Sequence, residues 1–226
     1  RWGLCATWQT GYTVVIVNTE TDYDVELLPW WKNPLNIILM ALVAMLFAGS
    51  VGFSIGRSDS VAAHNDVDTG FLQDMRIHHE QAVTMSVVYL GASPKGNLLL
   101  NMIAKEIMFT QSSEGGRMVQ MLRMFGEAET NESDIAMSWM GMPTPLEEMM
   151  GMASADEMNT LYKARGAEAD RIFATLMIAH HKGGLHMAEY AKKNAKNKEV
   201  IAFADSIIHS QESEIFELKK ALTQLN

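Results

Sequence analysis

The stretch DTGFLQDMRIHHEQAVTM, residues 68–85, returns 102 positions later as DRIFATLMIAHHKGGLHM, residues 170–187. Laid over each other, the two share Asp68/Asp170, Phe71/Phe173, Met75/Met177, His78/His180, His79/His181 and Met85/Met187. A second matching piece follows each copy. AKEIMFTQSSEGGRM (104–118) aligns with ADSIIHSQESEIFEL (204–218) at an offset of 100, with Ala104/Ala204, Ile107/Ile207, Gln111/Gln211 and Glu114/Glu214 in common. Self-similarity of this kind means one supersecondary unit used twice, here a duplicated helix pair.

A helix advances about 100° per residue. With Met75 at zero, Phe71, His78, His79, Ala82 and Met85 fall within an arc of about 120°, so they share one face. Phe173, Met177, His180, His181, Gly184 and Met187 repeat that face, and Ala104, Ile107, Gln111, Glu114 and Met118 form a similar stripe matched by Ala204, Ile207, Gln211, Glu214 and Leu218. The pattern predicts helices over about 69–90, 97–125, 154–194 and 199–225, the first capped by Asp68 or Thr69 and the third opening at SADEM (154–158). GASPKG (91–96) and the lysine-rich turn KKNAKNK (192–198) break the pairs. The segment from Gly126 to Pro145 reads as a loop or partly helical connector. The expected fold class is all-α: an antiparallel four-helix bundle made from the duplicated helix pair, preceded by one transmembrane helix.

A core-facing stripe with two adjacent imidazoles, a glutamine and a carboxylate in each half is costly to bury unless those groups are paired. One reading is structural, with the histidines bonded to Glu114 and Glu214 and fixing how the helices dock. The other is a metal site. Four histidines in duplicated pairs, each with methionines one turn before and about two turns after, favour metal. Imidazole suits Cu, Zn, Fe and Ni, whereas thioether selects soft Cu(I), so the combination suggests copper. The candidate metal residues are Met75, His78, His79, Met85, Met177, His180, His181, His186 and Met187, with His186 either an extra ligand or a surface residue. Gln111, Glu114, Gln211 and Glu214 form the supporting layer that fixes the imidazole tautomers. His64 and His209 have no counterpart in the opposite repeat and read as incidental. Met137, Met140, Met142, Met149, Met150 and Met152 crowd the connector; packing is favoured over exposed Cu(I) sites there.

The motifs F-x-x-x-M-x-x-H-H-x-x-A-x-x-M (71–85), F-x-x-x-M-x-x-H-H-x-G-G-x-x-M-A (173–188) and the following A-x-x-I-x-x-x-Q-x-x-E elements resemble the bacterial domain of unknown function 305 family. The resemblance covers about residues 66–222. It implies a ferritin-like four-helix bundle on the outer, periplasmic side of the cell membrane. It also implies copper binding, since the family includes Met-rich extracytoplasmic proteins of the CopM type. That binding would fall to Met75, His78, His79, Met85, Met177, His180, His181 and Met187.

Outside the repeats, residues 35–55 (LNIILMALVAMLFAGSVGFSI) contain no charge. At about 1.5 Å per residue such a helix spans roughly 30 Å, the hydrocarbon thickness of a bilayer. Trp30 and Trp31 stand where an aromatic belt would lie. A single-pass anchor over 35–56 is favoured over a cleaved signal peptide, because the run exceeds a usual signal core. The flanking Lys32 and Arg57 do not set the orientation. The expected domains are an N-terminal extension (1–34), the transmembrane helix (35–56) and the bundle (57–226). Within the extension, TVVIV (13–17) reads as a short strand and ETDYDVE (20–26) as a solvated acidic stretch.

A net charge of −9 argues against nucleic acid as a partner, and the one cysteine, Cys5, forms no internal disulfide. No Glu-x-x-His occurs, which disfavours a di-iron carboxylate site, and no Ser-His-Asp, phosphate-loop or Rossmann signature is present. The chain is therefore expected to be no enzyme and to take no small-molecule substrate. Two functions remain. The first is a membrane-anchored copper-binding protein for copper buffering, resistance or delivery, taking Cu(I) or Cu(II). The second is a metal-free accessory subunit of a larger membrane complex, for instance a respiratory one.

Overall fold

The computed structural model describes residues 29–56 and 61–225, and the chain divides into two compact units, 1–59 and 60–226. The strand expected at 13–17 and the acidic stretch 20–26 lie outside the described residues. In the first unit a 3-10 turn, Trp30–Lys32, leads into helix α1, Pro34–Gly56. Asn33 Oδ1 accepts from the Leu35 amide at 3.0 Å and secures the helix start. Its stretch Pro34–Ser54 is long and apolar enough to cross a membrane, and none of its residues is buried. A membrane anchor and a signal sequence share those properties.

The second unit is mostly helical: α2 (Asp66–Ala92), α3 (Leu98–Phe125), α4 (Ala155–Lys163), α5 (Gly166–Asn194) and α6 (Lys198–Gln224). The first of these starts earlier than the periodicity predicts. Asn65 is the cap, and its side chain accepts from the Asp68 amide while the Asp68 carboxylate accepts from the Asn65 amide. Asp68 is thus the third residue of a capping box, not the cap.

The single helix expected from 154 to 194 is two. Ala164 and Arg165 adopt extended backbone between α4 and α5. The Arg165 guanidinium donates to the carbonyls of Tyr162 and Ala164 at 2.8 and 2.7 Å, taking up groups that a continuing helix would have paired. No proline marks this break, so the apolar pattern ran across it.

Two apolar clusters show how the long helices run. One joins Phe71 and Met75 of α2 with Leu122 and Phe125 of α3, Met187 and Ala191 of α5, and Val200 and Phe203 of α6. The other joins Met85 and Tyr89 with Leu100 and Ile103, Phe173 and Met177, and Leu218 and Ala221. The start of α2 therefore meets the ends of α3 and α5 and the start of α6, so α2 runs opposite to α3 and α5. Under the repeat offset, Phe71 and Met75 of one cluster become Phe173 and Met177 of the other. The two clusters are images of each other.

The same symmetry appears in two buried carboxylates. Asp68 accepts from the Lys196 and Asn197 amides, each at 3.0 Å, and so holds the α5–α6 turn. Asp170 accepts from the Tyr89 hydroxyl at 2.8 Å, the Ser93 hydroxyl at 3.0 Å and the Asn97 amide at 3.0 Å, and so holds the α2–α3 turn. Burial and the bond to Asp170 push the Tyr89 phenol up, which keeps it an O–H donor.

The connector between α3 and α4 carries a two-residue antiparallel ladder, β1 (Ile135–Ala136) with β2 (Thr144–Pro145). Several α2 side chains tie it down, Asp74 and Gln81 with more than one bond each. Asp74 accepts from the Met137 amide (2.7 Å), Trp139 Nε1 (2.8 Å) and Asn131 Nδ2 (2.7 Å). Gln81 makes both bonds to the backbone of Ala153. Met137, Met140 and Met149 are buried in the first cluster and Met152 packs against it, while Met142 and Met150 are exposed.

Asp170→Ala would strand the buried Tyr89 hydroxyl and the Asn97 amide and leave the Ser93 hydroxyl only its 3.4 Å bond to the Gly166 carbonyl. The expected loss is about 3 kcal/mol, on the scale of about 1–3 kcal/mol per unsatisfied buried group. Urea unfolding followed by far-ultraviolet circular dichroism checks it, and a loss below about 1 kcal/mol would show that the turn is held by other contacts.

Candidate metal centre

Between the two clusters lies a layer of four imidazoles. His78 and His79 of α2 and His180 and His181 of α5 are all at most 1% exposed. The rings of His78 and His180 meet across the helix pair, with centroids 3.7 Å apart and planes 33° from parallel. His180 and His181 are 6.1 Å apart by centroids. The outer member of each doublet is held by the partner helix of its own half. His79 Nε2 donates to Glu114 of α3 at 2.9 Å, and His181 Nε2 donates to Glu214 of α6 at 2.5 Å.

These bonds fix the ring chemistry. His78 Nε2 donates to the Met150 carbonyl at 3.2 Å, so a neutral His78 keeps its lone pair on Nδ1. The same reasoning places the lone pair of a neutral His79 or His181 on Nδ1. All three Nδ1 atoms are buried without a hydrogen-bond partner, and neither nitrogen of His180 makes a well-formed hydrogen bond. Bare, desolvated lone pairs are expensive for a purely structural histidine and are what a metal ion needs.

Burial, followed by the neighbouring imidazoles of His79 and His181, pushes His78 down to about 3. Burial, with His78 and then the other two rings, holds His180 well below the usual histidine range. Both are neutral at pH 7. A neutral imidazole is the form that ligates.

The thioethers bracket this layer. Met75 and Met187 belong to the cluster on one side, Met85 and Met177 to the cluster on the other, and all four are fully buried. Among the described residues no three His, Cys, Asp or Glu side chains form a metal-holding group. Any soft-metal site here has to draw on sulfur as well as on the imidazoles. Gln111 and Gln211 are each 2% exposed. Gln211 lies against Gly184, where a Cβ would press on its amide, and neither of its polar atoms is bonded.

His186 does not join the layer. It is exposed on α5, because its position lies off the face shared by His180 and Met187. His64 stacks on Phe125 at 4.6 Å and bonds Glu127, and His209 is exposed.

The sequence reading missed how the connector closes the layer. Gly151, at φ 87°, and Gly183 of α5 pack backbone to backbone, and a Cβ on Gly183 would overlap the Met150 carbonyl. That contact delivers the carbonyl to His78. The signal present was the Gly183–Gly184 pair inside a helical pattern, which marks a close approach.

The fold and this layer define a class: helical proteins with an internally duplicated His-His core flanked by methionine. The family model described as Domain of unknown function (DUF305) matches residues 68–222, and the chain belongs to that family. Three solved structures are similar to it. A DUF305 protein from Streptomyces coelicolor, described as secreted, is 33% identical with a TM-score of 0.64, covering 70% of this chain and 93% of that one. A DUF305 fragment from Deinococcus radiodurans is 26% identical with a TM-score of 0.61, covering 71% and 97%. CopM in its Cu(I)-bound form is 25% identical with a TM-score of 0.51, covering 70% and 96%. No curated protein matches the chain.

In the metal-free protein, His180→Leu removes two unpaired ring nitrogens and is expected to be neutral or stabilising, whereas His181→Leu strands the Glu214 Oε2, leaving that side chain only its Oε1 bond from Ser210, and costs about 1–3 kcal/mol. Chemical denaturation of the two variants separates them, and equal losses would contradict the assignment of partners. For His78 and His180 the folded form resists protonation while the unfolded chain takes a proton below about 6.5. Stability from burying them neutral is therefore complete above about pH 6.5. It falls as the pH drops below that, toward about 3 for His78, by up to about 1.4 kcal/mol per pH unit for each ring. A denaturation series across that range in chelator checks the slope; a flat profile would show that neither ring stays neutral.

Proposed function

We propose that this chain is a membrane-anchored, extracytoplasmic copper-binding protein that buffers copper, confers resistance to it or hands it on. In this reading α2, α3, α5 and α6 form a ferritin-like antiparallel four-helix bundle around the histidine layer. Copper is cargo, and no catalytic step is assigned. The single observation behind the reading is the set of buried, unpartnered Nδ1 atoms on His78, His79 and His181, next to His180 and between methionine-bearing clusters.

The donor chemistry supports Cu(I) over harder metals. Thioethers bind soft ions without losing a proton, and imidazole accepts copper readily. Glu114 and Glu214 orient His79 and His181 and supply negative charge near the ion. The likeness to CopM in its Cu(I)-bound form supports the same metal. For location, the apolar α1 supports a membrane tether, and the relative described as secreted supports an outer-side domain.

The test is competition for Cu(I) between bicinchoninate and the full chain in mild detergent. His78→Leu combined with His180→Leu should weaken Cu(I) binding by at least about a hundredfold, the scale on which even outer-layer changes act at metal sites. Equal binding by native chain and variant, or none by either, would overturn the copper reading. Stoichiometric co-purification with other membrane subunits and no metal would then favour the accessory-subunit alternative.

A further inference from the structure

Gly115 and Gly116 stand inside α3, where glycine is the least favourable residue after proline. Some other glycines of this domain make way for a neighbour, while Gly91, Gly141 and Gly166 have open space at the Cβ position. Gly70 admits the Trp139 ring and Gly184 the Gln211 amide. Gly115 and Gly116, like Gly91, have nothing within 4 Å of where a Cβ would stand, but these two sit side by side and line open space.

That space is a groove of about 580 Å³ between α2 and α3, walled by Arg76, Glu80 and Val83, with His79 and Gln111 in its lining. Gln111 is 2% exposed and its Oε1 has no hydrogen-bond partner. Arg76 is neutralised by Glu80 at 2.6 Å, so it opposes an incoming cation little. At the matching positions of the second half stand Ile215 and Phe216. Ile215 is packed into the second apolar cluster. The halves are thus duplicated in their histidines but differ beside them.

We propose that copper enters and leaves the buried layer through this groove, past Gln111 and His79. Gly115 and Gly116 keep the passage open, and the second half is closed by Ile215. The inference rests on the copper reading above and adds a route to it.

The experiment uses the full chain in mild detergent, metal-free, mixed with the Cu(I)–bicinchoninate complex in a stopped-flow instrument. G115I/G116I fills the groove with side chains of the second half's bulk, while G115A/G116A stiffens the helix and leaves the groove open. The isoleucine variant should take up copper at least about tenfold more slowly, at unchanged equilibrium affinity, a change within the range that access restrictions impose on association rates. The alanine variant should match the native rate. Native-like uptake by the isoleucine variant overturns the route, as does equal slowing by the alanine variant or a loss of affinity in step with the rate. If the native chain itself binds no Cu(I) at equilibrium, the copper reading fails and the route with it, an outcome visible before any rate is measured.

Discussion

The constraint around which this molecule is arranged is the burial of His78 and His180, ring against ring at 3.7 Å, where α2 crosses α5. Two desolvated imidazoles gain little from each other, and their bare nitrogens oppose burial. The apolar clusters on either side supply the compensating free energy, because Phe71, Met75, Met187, Phe173, Met177 and Met85 are all completely buried. The layer survives because it is sandwiched. Its polarity is spent in the one place where both halves of the repeat converge.

From that meeting the rest of the architecture follows in order. Each outer histidine is steadied by a glutamate from its own half, so the duplicated glutamates of the Q-x-x-E elements in α3 and α6 are explained by the duplicated doublets of α2 and α5. The connector then breaks the symmetry. It reaches across by way of Asp74 and Gln81, whose counterparts under the repeat offset are Leu176 and Gly183. The first half holds the strap, and the second half yields to it by giving up a side chain where the Met150 carbonyl passes.

Much of this was readable from the letters. The long helices and the shared face of Phe71, Met75, His78, His79 and Met85 follow from a 3.6-residue period, which is a local property. Burial of the doublets followed from the company they keep on that face. The start at Asn65 and the break at Ala164–Arg165 were not readable, because both are decided by side-chain bonds to backbone groups that leave the apolar period intact. The exposure of His186 was within reach of the same period, since its position falls on the side of the helix opposite Met177, whereas the docking of Met150 on Gly183 is a contact between segments far apart in the chain. Sequence periodicity speaks about faces; it is silent about which distant loop covers them.

Asp68 and Asp170 have a consequence for how the duplicated gene product could evolve. Each carboxylate sits at the start of a helix in one half and grips the hairpin bend of the other. Excising the first hairpin would strip Asp170 of its three donors, and excising the second would leave Asp68 only the amide of its own cap, Asn65. After fusion, the halves were locked into mutual dependence, free to diverge in their linings but not to part company.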